Sequence, residues 1–169
     1  IIDTPGAYPG IGAEERGQAW AIAENLACLS QLNVPTIALI LSEGGSGGAL
    51  ALALTDEVWM CENATYSILS PEGFASILYK DASLAPEVAK VMKLTSFELL
   101  DYHLIDRIIP ETPDGLHSNP KITYTYLRKE LYDVFKALQG LSNEERLHKR
   151  YQKYRLMGEF KEGDTSCRK

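Results

Sequence analysis

Apolar positions along the chain switch between helical and strand-like periods. Ile1-Ile2 is an apolar stub closed by Asp3, and the Pro/Gly-rich stretch from Thr4 to Gly12 marks a loop. From about Ala13 to Leu32, the residues Ala19, Ile22, Ala23, Leu26 and Leu29 recur at helical spacing, with Glu14 and Glu15 suiting the positive helix start. Thr36 to Leu41 is a continuous apolar run and predicts a buried strand. A glycine-rich turn follows, then a short alanine/leucine helix from Ala49 to Leu54. Glu57–Cys61 and Thr65–Leu69 predict two short strands around Asn63. Ser70-Pro71-Glu72 supplies an N-cap, an N1 proline and a first-turn acid for another helix. Thr95-Ser96-Phe97-Glu98 and Ser142-Asn143-Glu144-Glu145 both fit the capping box. Between them Pro110 to Pro120 is loop, and helices are predicted over Lys121–Leu138 and Asn143–Met157. The tail after Gly158 is polar and is expected to fray. Repeated strand–strand–helix units predict α/β layers.

Composition narrows the partners. The 169 residues suit one domain and carry a net charge of −6, which argues against broad nucleic-acid affinity. Basic residues do gather late: Arg146, Lys149, Arg150, Lys153 and Arg155 give the last helix a positive face. We read that face as solvated surface, with an acidic partner or a CoA phosphate as the alternative. No apolar run reaches the roughly 18 residues of a membrane span, and no signal-peptide pattern is visible. Cys28, Cys61 and Cys167 fit neither a disulfide framework nor a metal site, so a cytoplasmic setting is expected. The opening Ile1-Ile2-Asp3 reads as the end of a buried strand, so a fragment of a longer protein is expected.

The chemistry concentrates in Glu43-Gly44-Gly45-Ser46-Gly47-Gly48-Ala49-Leu50. Four glycines lie between a strand and a helix start, where peptide N–H groups lack intrahelical acceptors. A ligand can approach such backbone closely, and the helix dipole favours an anion there. Main-chain stabilisation of an oxyanion is the chemistry this suggests. Three patterns compete. Gly44-Gly45-Ser46-Gly47-Gly48 matches the G-x-S-x-G nucleophile elbow, with His103, His117 and His148 as the available bases. Asp3-Thr4-Pro5-Gly6 matches the D-x-x-G switch of GTPases, yet no base-reading N-K-x-D follows. The third pattern pairs the two glycine loops, Thr4–Gly10 and Gly44–Gly48, so that their N–H groups converge on one pocket; simple tight connections are the plain alternative.

The run from Asp3-Thr4-Pro5-Gly6-Ala7-Tyr8-Pro9-Gly10 to Glu14-Glu15-Arg16-Gly17-Gln18 resembles one family closely. So do Glu43–Ala51, Tyr66–Gly73 and Arg150-Tyr151-Gln152-Lys153-Tyr154. The chain is similar to the carboxyltransferase α subunit of the multisubunit acetyl-CoA carboxylase of bacteria and plastids. The resemblance spans Ile1 to about Phe160 and implies the C-terminal part of one domain, 1–160, followed by a polar tail over 161–169. It implies an α/β crotonase-like spiral of ββα units, of the ClpP/crotonase superfamily. The implied reaction moves a carboxyl group from carboxybiotin to acetyl-CoA, giving malonyl-CoA. Gly47 and Gly48 match the oxyanion-hole glycines. Gly6, Ala7 and Tyr8 match the loop lining the same pocket, with Gly44, Gly45 and Ser46 beside them as substrate-binding positions. Pro5 has no N–H to give. Related hydratases often carry a Glu where this chain has Leu50. The implied partners are the β subunit in an α2β2 assembly, the biotin carboxyl carrier protein and a biotin carboxylase that uses ATP. No permanently bound cofactor is implied, zinc is expected on the β subunit, and the setting is the bacterial cytoplasm or the plastid stroma. A serine hydrolase built on Ser46, another acyl-CoA crotonase and a non-catalytic interaction surface are the alternatives.

Overall fold

The computed structural model describes residues 1–158, so the tail expected over 161–169 lies outside the described residues. In chain order the elements are β1 (Ile2–Thr4), α1 (Ile11–Glu15), α2 (Gln18–Gln31), β2 (Ile37–Gly45), α3 (Ser46–Ala53), β3 (Glu57–Cys61) and β4 (Thr65–Ser67). Then come α4 (Pro71–Leu78), α5 (Ala85–Met92), α6 (Ser96–Asp101), β5 (Arg107–Ile109), α7 (Pro120–Gln139) and α8 (Asn143–Leu156). Every strand pairing is parallel, in the order β1-β2-β3-β5. β2 serves two neighbours on one side. Its Ile37–Ile40 half pairs with Glu57–Met60 of β3, and its Glu43–Gly45 end pairs with Thr65–Ser67 of β4.

Parallel strands covered on both faces need apolar residues at nearly every position. β2 and β3 meet that need, and Ile40, Val58, Trp59, Met60 and Cys61 are buried in the core. Ala49 and Ala53 of α3 and Val134 of α7 close that core. The fold class is the expected α/β, crotonase-like arrangement.

Several boundaries differ from the sequence-based expectation. The helix predicted over 13–32 breaks at Gly17, whose φ of +79° is left-handed. In α2, Ile22, Leu26 and Leu29 are half-buried, while Ala19 and Ala23 stay exposed. Gly44 and Gly45, expected in a bare turn, are strand, because β4 holds them by cross-strand pairing. α3 therefore starts at Ser46 rather than Ala49. β4 stops at Ser67, and α5 and β5 carry no counterpart in the sequence reading. The caps appear as expected. Ser70 Oγ accepts from Gly73 N at 3.1 Å, Glu98 accepts from Thr95 N at 3.4 Å, and Ser142 and Glu145 bond reciprocally.

The late basic face is the clearest correction. Arg146 and Arg150 are each only 3% exposed. Arg150 forms a salt bridge with Asp56 at 2.8 Å and donates to the carbonyls of Leu29 at 2.7 Å and Leu32 at 3.2 Å. Arg146 donates to the Asn33 carbonyl at 2.5 Å and to Asn143 Oδ1 at 2.7 Å. Lys153 joins the Asp56 carbonyl and the Asp106 carboxylate. The acidic partners of Arg150 and Lys153 lie within the chain, and Lys149 and Arg155 remain exposed.

Candidate active site at the glycine junction

β1 and β2 end side by side, with Thr4 in register with Gly44. Asp3 Oδ1 accepts from Glu43 N at 3.2 Å across the register shift, so the Asp of the D-x-x-G pattern supports the strand backbone. The loop after β1 then folds over the start of α3. A Cβ on Gly45 would lie 2.0 Å from the Pro5 carbonyl oxygen, so only glycine fits there. A Cβ on Gly48 would lie 3.0 Å from Ala7 N and from the Gly6 carbonyl carbon. The expected convergence of the two glycine loops is thus a direct backbone contact.

Gly47 differs from its neighbours. Its φ is not left-handed, and an added Cβ would meet only Ile22 methyl carbons at 3.9 Å, an ordinary contact. A helical glycine is less stable than alanine by about 0.5–1 kcal/mol. Packing within the described residues does not demand that loss at position 47. A bare backbone serves the approach of something outside the chain.

The donors sort by what already holds them. No side chain caps the start of α3, so the first-turn N–H groups, those of Gly47 and Gly48 among them, have no intrahelical acceptor and no cap. Gly6 N donates to Thr4 Oγ1 at 3.2 Å. Tyr8 N donates to the Gln18 amide oxygen at 3.0 Å, with that amide oriented so that its nitrogen also donates to Tyr8 O at 2.9 Å. Ala7 N has no partner among the described residues. Gly44 and Gly45 are buried in β2, and Tyr8 is 72% exposed. Seven of the eight positions singled out in the sequence meet at one junction, and Tyr8, exposed and paired with Gln18, flanks it. Gly47, Gly48 and Ala7 present the unengaged N–H groups; Gly6, Gly44 and Gly45 shape the backbone around them.

Ser46 sits at the strand-to-helix corner with φ +51°, a left-handed value uncommon for a non-glycine residue. That strand–turn–helix geometry fits the nucleophile-elbow pattern. The rest of a hydrolase site is missing among the described residues. Ser46 Oγ bonds to no base, and His103, His117 and His148 are all exposed. Cys61 is no substitute, since burial, aided by nearby Glu111, pushes its thiol up to about 12.

A cavity of about 310 Å3 opens beside the junction. Ser46 and Gly47 line it, and Leu50, Val58, Leu99, Leu104 and Met157 make it apolar. Tyr154 of α8 forms part of the wall and is fixed in place. Its hydroxyl donates to the Ala53 carbonyl at 2.6 Å and accepts from Thr55 N at 3.0 Å. Burial raises the Tyr154 phenol above its usual range, so it stays protonated. Sequence reasoning missed this tyrosine as a site residue. Its signal was the Arg150–Tyr154 segment, whose environment depends on residues about a hundred positions earlier.

No described helix is long and apolar enough to cross a membrane. A family model described as acetyl co-enzyme A carboxylase carboxyltransferase-like matches residues 1–158. The acetyl-coenzyme A carboxylase carboxyl transferase subunit alpha of Streptococcus equi subsp. zooepidemicus is 57% identical over 92% of this chain and 59% of its own length. That of Heliobacterium modesticaldum is 54% identical over 99% of this chain and 50% of its own. A Clostridium tetani protein named as subunits beta/alpha is 51% identical over 95% of this chain and 28% of its own. This chain thus spans between half and three-fifths of the two alpha subunits compared. Among solved structures, a Pseudomonas malonate decarboxylase hetero-tetramer in complex with coenzyme A superposes with a TM-score of 0.71 at 19% identity, over 88% of this chain and 59% of that one. A transcarboxylase 12S structure superposes with a TM-score of 0.58 at 24% identity, over 64% and 23%. These two establish the fold. With its long specific motifs and a match running from residue 1 to 158, the chain belongs to the acetyl-CoA carboxylase carboxyltransferase-like family.

Proposed function

We propose that this chain is part of the carboxyltransferase α subunit of a multisubunit acetyl-CoA carboxylase. In this reading it helps move a carboxyl group from carboxybiotin to acetyl-CoA, making malonyl-CoA for fatty acid biosynthesis. Biotin is a co-substrate that arrives on a separate carrier protein, and ATP is used by a separate biotin carboxylase. The β subunit completes the active site in an α2β2 assembly and carries the zinc. The β/α name of the Clostridium tetani relative supports that pairing. The setting is the cytoplasm of a bacterium or the stroma of a plastid.

The observation that carries this reading is the open backbone at Gly47, at the uncapped start of α3. Carboxyl transfer releases the carboxyl carbon from the biotin ureido nitrogen and takes a proton from the acetyl methyl group. Negative charge grows on a carbonyl oxygen at each centre. The N–H groups of Gly47 and Gly48 donate to the ureido oxygen, and Ala7 N lies against the Gly48 backbone as a further donor. Fixed donors of this kind need no reorganisation as charge develops. None of the positions Gly6, Ala7 and Gly44 to Gly48 carries a carboxylate, imidazole or amine side chain. Leu50 occupies the position where related hydratases often carry a Glu, and it lines the apolar cavity. A transferase tolerates that, because the departing ureido nitrogen can itself take up the proton.

The test is Gly47→Pro in the full-length α–β complex, assayed by malonyl-CoA decarboxylation with biocytin as acceptor. Proline removes the N–H without breaking an intrahelical bond, and assembly and melting temperature are checked beside the rate, because proline also restrains Ser46. We expect an assembled complex that loses at least about a hundredfold in rate, the scale of one lost oxyanion donor. A correctly assembled complex with near-normal rate would reduce the glycine run to a tight connection.

A further inference from the structure

A second cavity, of about 550 Å3, lies between α7, α8 and the ends of β3 and β5, and the transfer reaction gives it no role. Its charged residues are mostly matched. Asp56 pairs with Arg150, Asp106 with Lys153, and Glu57 and Glu130 flank Arg107. Asp133 of α7 and Arg146 and Lys149 of α8 also line it, and none of the three belongs to a salt bridge among the described residues. Asp133 and Lys149 are exposed, whereas Arg146 is 3% exposed.

Arg146 and Arg150 stand one helical turn apart and are equally buried, yet they differ in their counter-charge. Arg150 has the Asp56 carboxylate. Arg146 has three neutral acceptors, the Leu138 and Asn33 carbonyls and Asn143 Oδ1, and its buried Nε has no partner among the described residues. An arginine keeps its charge at any ordinary pH. A buried cation without a counter-ion and a buried donor without an acceptor are both costly. Lys149, three residues on along α8, adds a second cation to the same groove. Val134, Leu138 and Leu141 give it an apolar wall.

We propose that this groove binds an oxyanion, a carboxylate or a phosphate, borne on a partly apolar body, with Arg146 and Lys149 as its cationic contacts. A charge-assisted N–H donor suits both head groups. The apolar wall beside them favours a carrier larger than a bare ion.

The experiment is calorimetric titration of the full-length protein, in a buffer free of carboxylate and phosphate, with hexanoate, hexyl phosphate and inorganic phosphate in separate arms. Saturable binding of at least one organic anion is expected. Lys149→Glu, at an exposed residue, should keep the melting temperature and weaken binding at least about tenfold, as expected on losing a charge-assisted contact. Arg146→Gln should weaken it as well, if that variant folds. A preference between hexanoate and hexyl phosphate identifies the head group. Absence of saturable binding in every arm, binding of inorganic phosphate alone, or unchanged affinity in Lys149→Glu would each overturn the proposal.

Discussion

The glycine junction and the last helix treat helix ends in opposite ways. At the start of α3 the chain removes side chains and leaves N–H groups open, with no cap. Near the ends of α2 and α7 it sends in arginines, the longest side chains available. Arg150 takes the carbonyls of Leu29 and Leu32, and Arg146 that of Leu138. Orphan backbone groups occur at every helix end. A closed end is architecture, and an open end beside a cavity is a place for a ligand.

Removing the inward cation should produce the largest effect. Arg150→Met leaves Asp56 buried without its partner, and we expect a loss of about 3–5 kcal/mol in urea unfolding of the full-length protein. A loss under about 1 kcal/mol would make α8 a loosely held helix and erase the contrast. Next come two neighbouring glycines. Gly45→Ala should destabilise by about 1–3 kcal/mol or more, since its Cβ overlaps the Pro5 carbonyl. Gly47→Ala should be neutral, or stabilising by up to about 1 kcal/mol from helix propensity. Equal melting temperatures for the two variants would mean that the junction does not distinguish packing glycines from open ones. The same geometry argues that Gly48→Val pushes its side chain against the Ala7 and Gly6 backbone, so its loss of activity would report packing rather than donor chemistry.

A smaller effect is expected at the start of α8. Ser142→Ala removes one half of a reciprocal cap, worth about 1 kcal/mol, and a shift in the urea midpoint reads it. The smallest effect is expected at Ser46. Ser46→Ala should retain most carboxyltransferase activity in the α–β complex, because the proposed chemistry uses main-chain N–H groups and gives the hydroxyl no part. A loss beyond about a thousandfold, the scale of a removed nucleophile, would restore the hydrolase reading.

Features whose cause is local were legible in the sequence. The caps at Ser70 and Ser142 depend on residues three positions apart, and both appear. The junction was legible because its glycines and the Pro5-Gly6 turn are local signals for bare backbone. Features set by distant partners were not. Gly44 and Gly45 became strand because Tyr66 and Ser67 pair with them. β5 is only three residues long and begins at Arg107, directly after Asp106, so no apolar run marked it. Arg150 looked solvated because its carboxylate partner, Asp56, lies 94 residues earlier. The same distance concealed Tyr154 as a wall of the candidate site.

The Arg150–Leu29 contact also sets an order of events during synthesis. Its two residues are 121 positions apart. At 5–20 residues per second, α2 waits roughly 6–24 s after Leu29 is made before the ribosome adds Arg150. The first glycine loop is already made by then, and the second, complete by Gly48, is translated within that interval. Water serves the carbonyls of Leu29 and Leu32 until α8 emerges and docks. The nascent chain therefore builds its glycine corner first and fastens it last, and a stalled or truncated product would expose that corner on an unlatched helix.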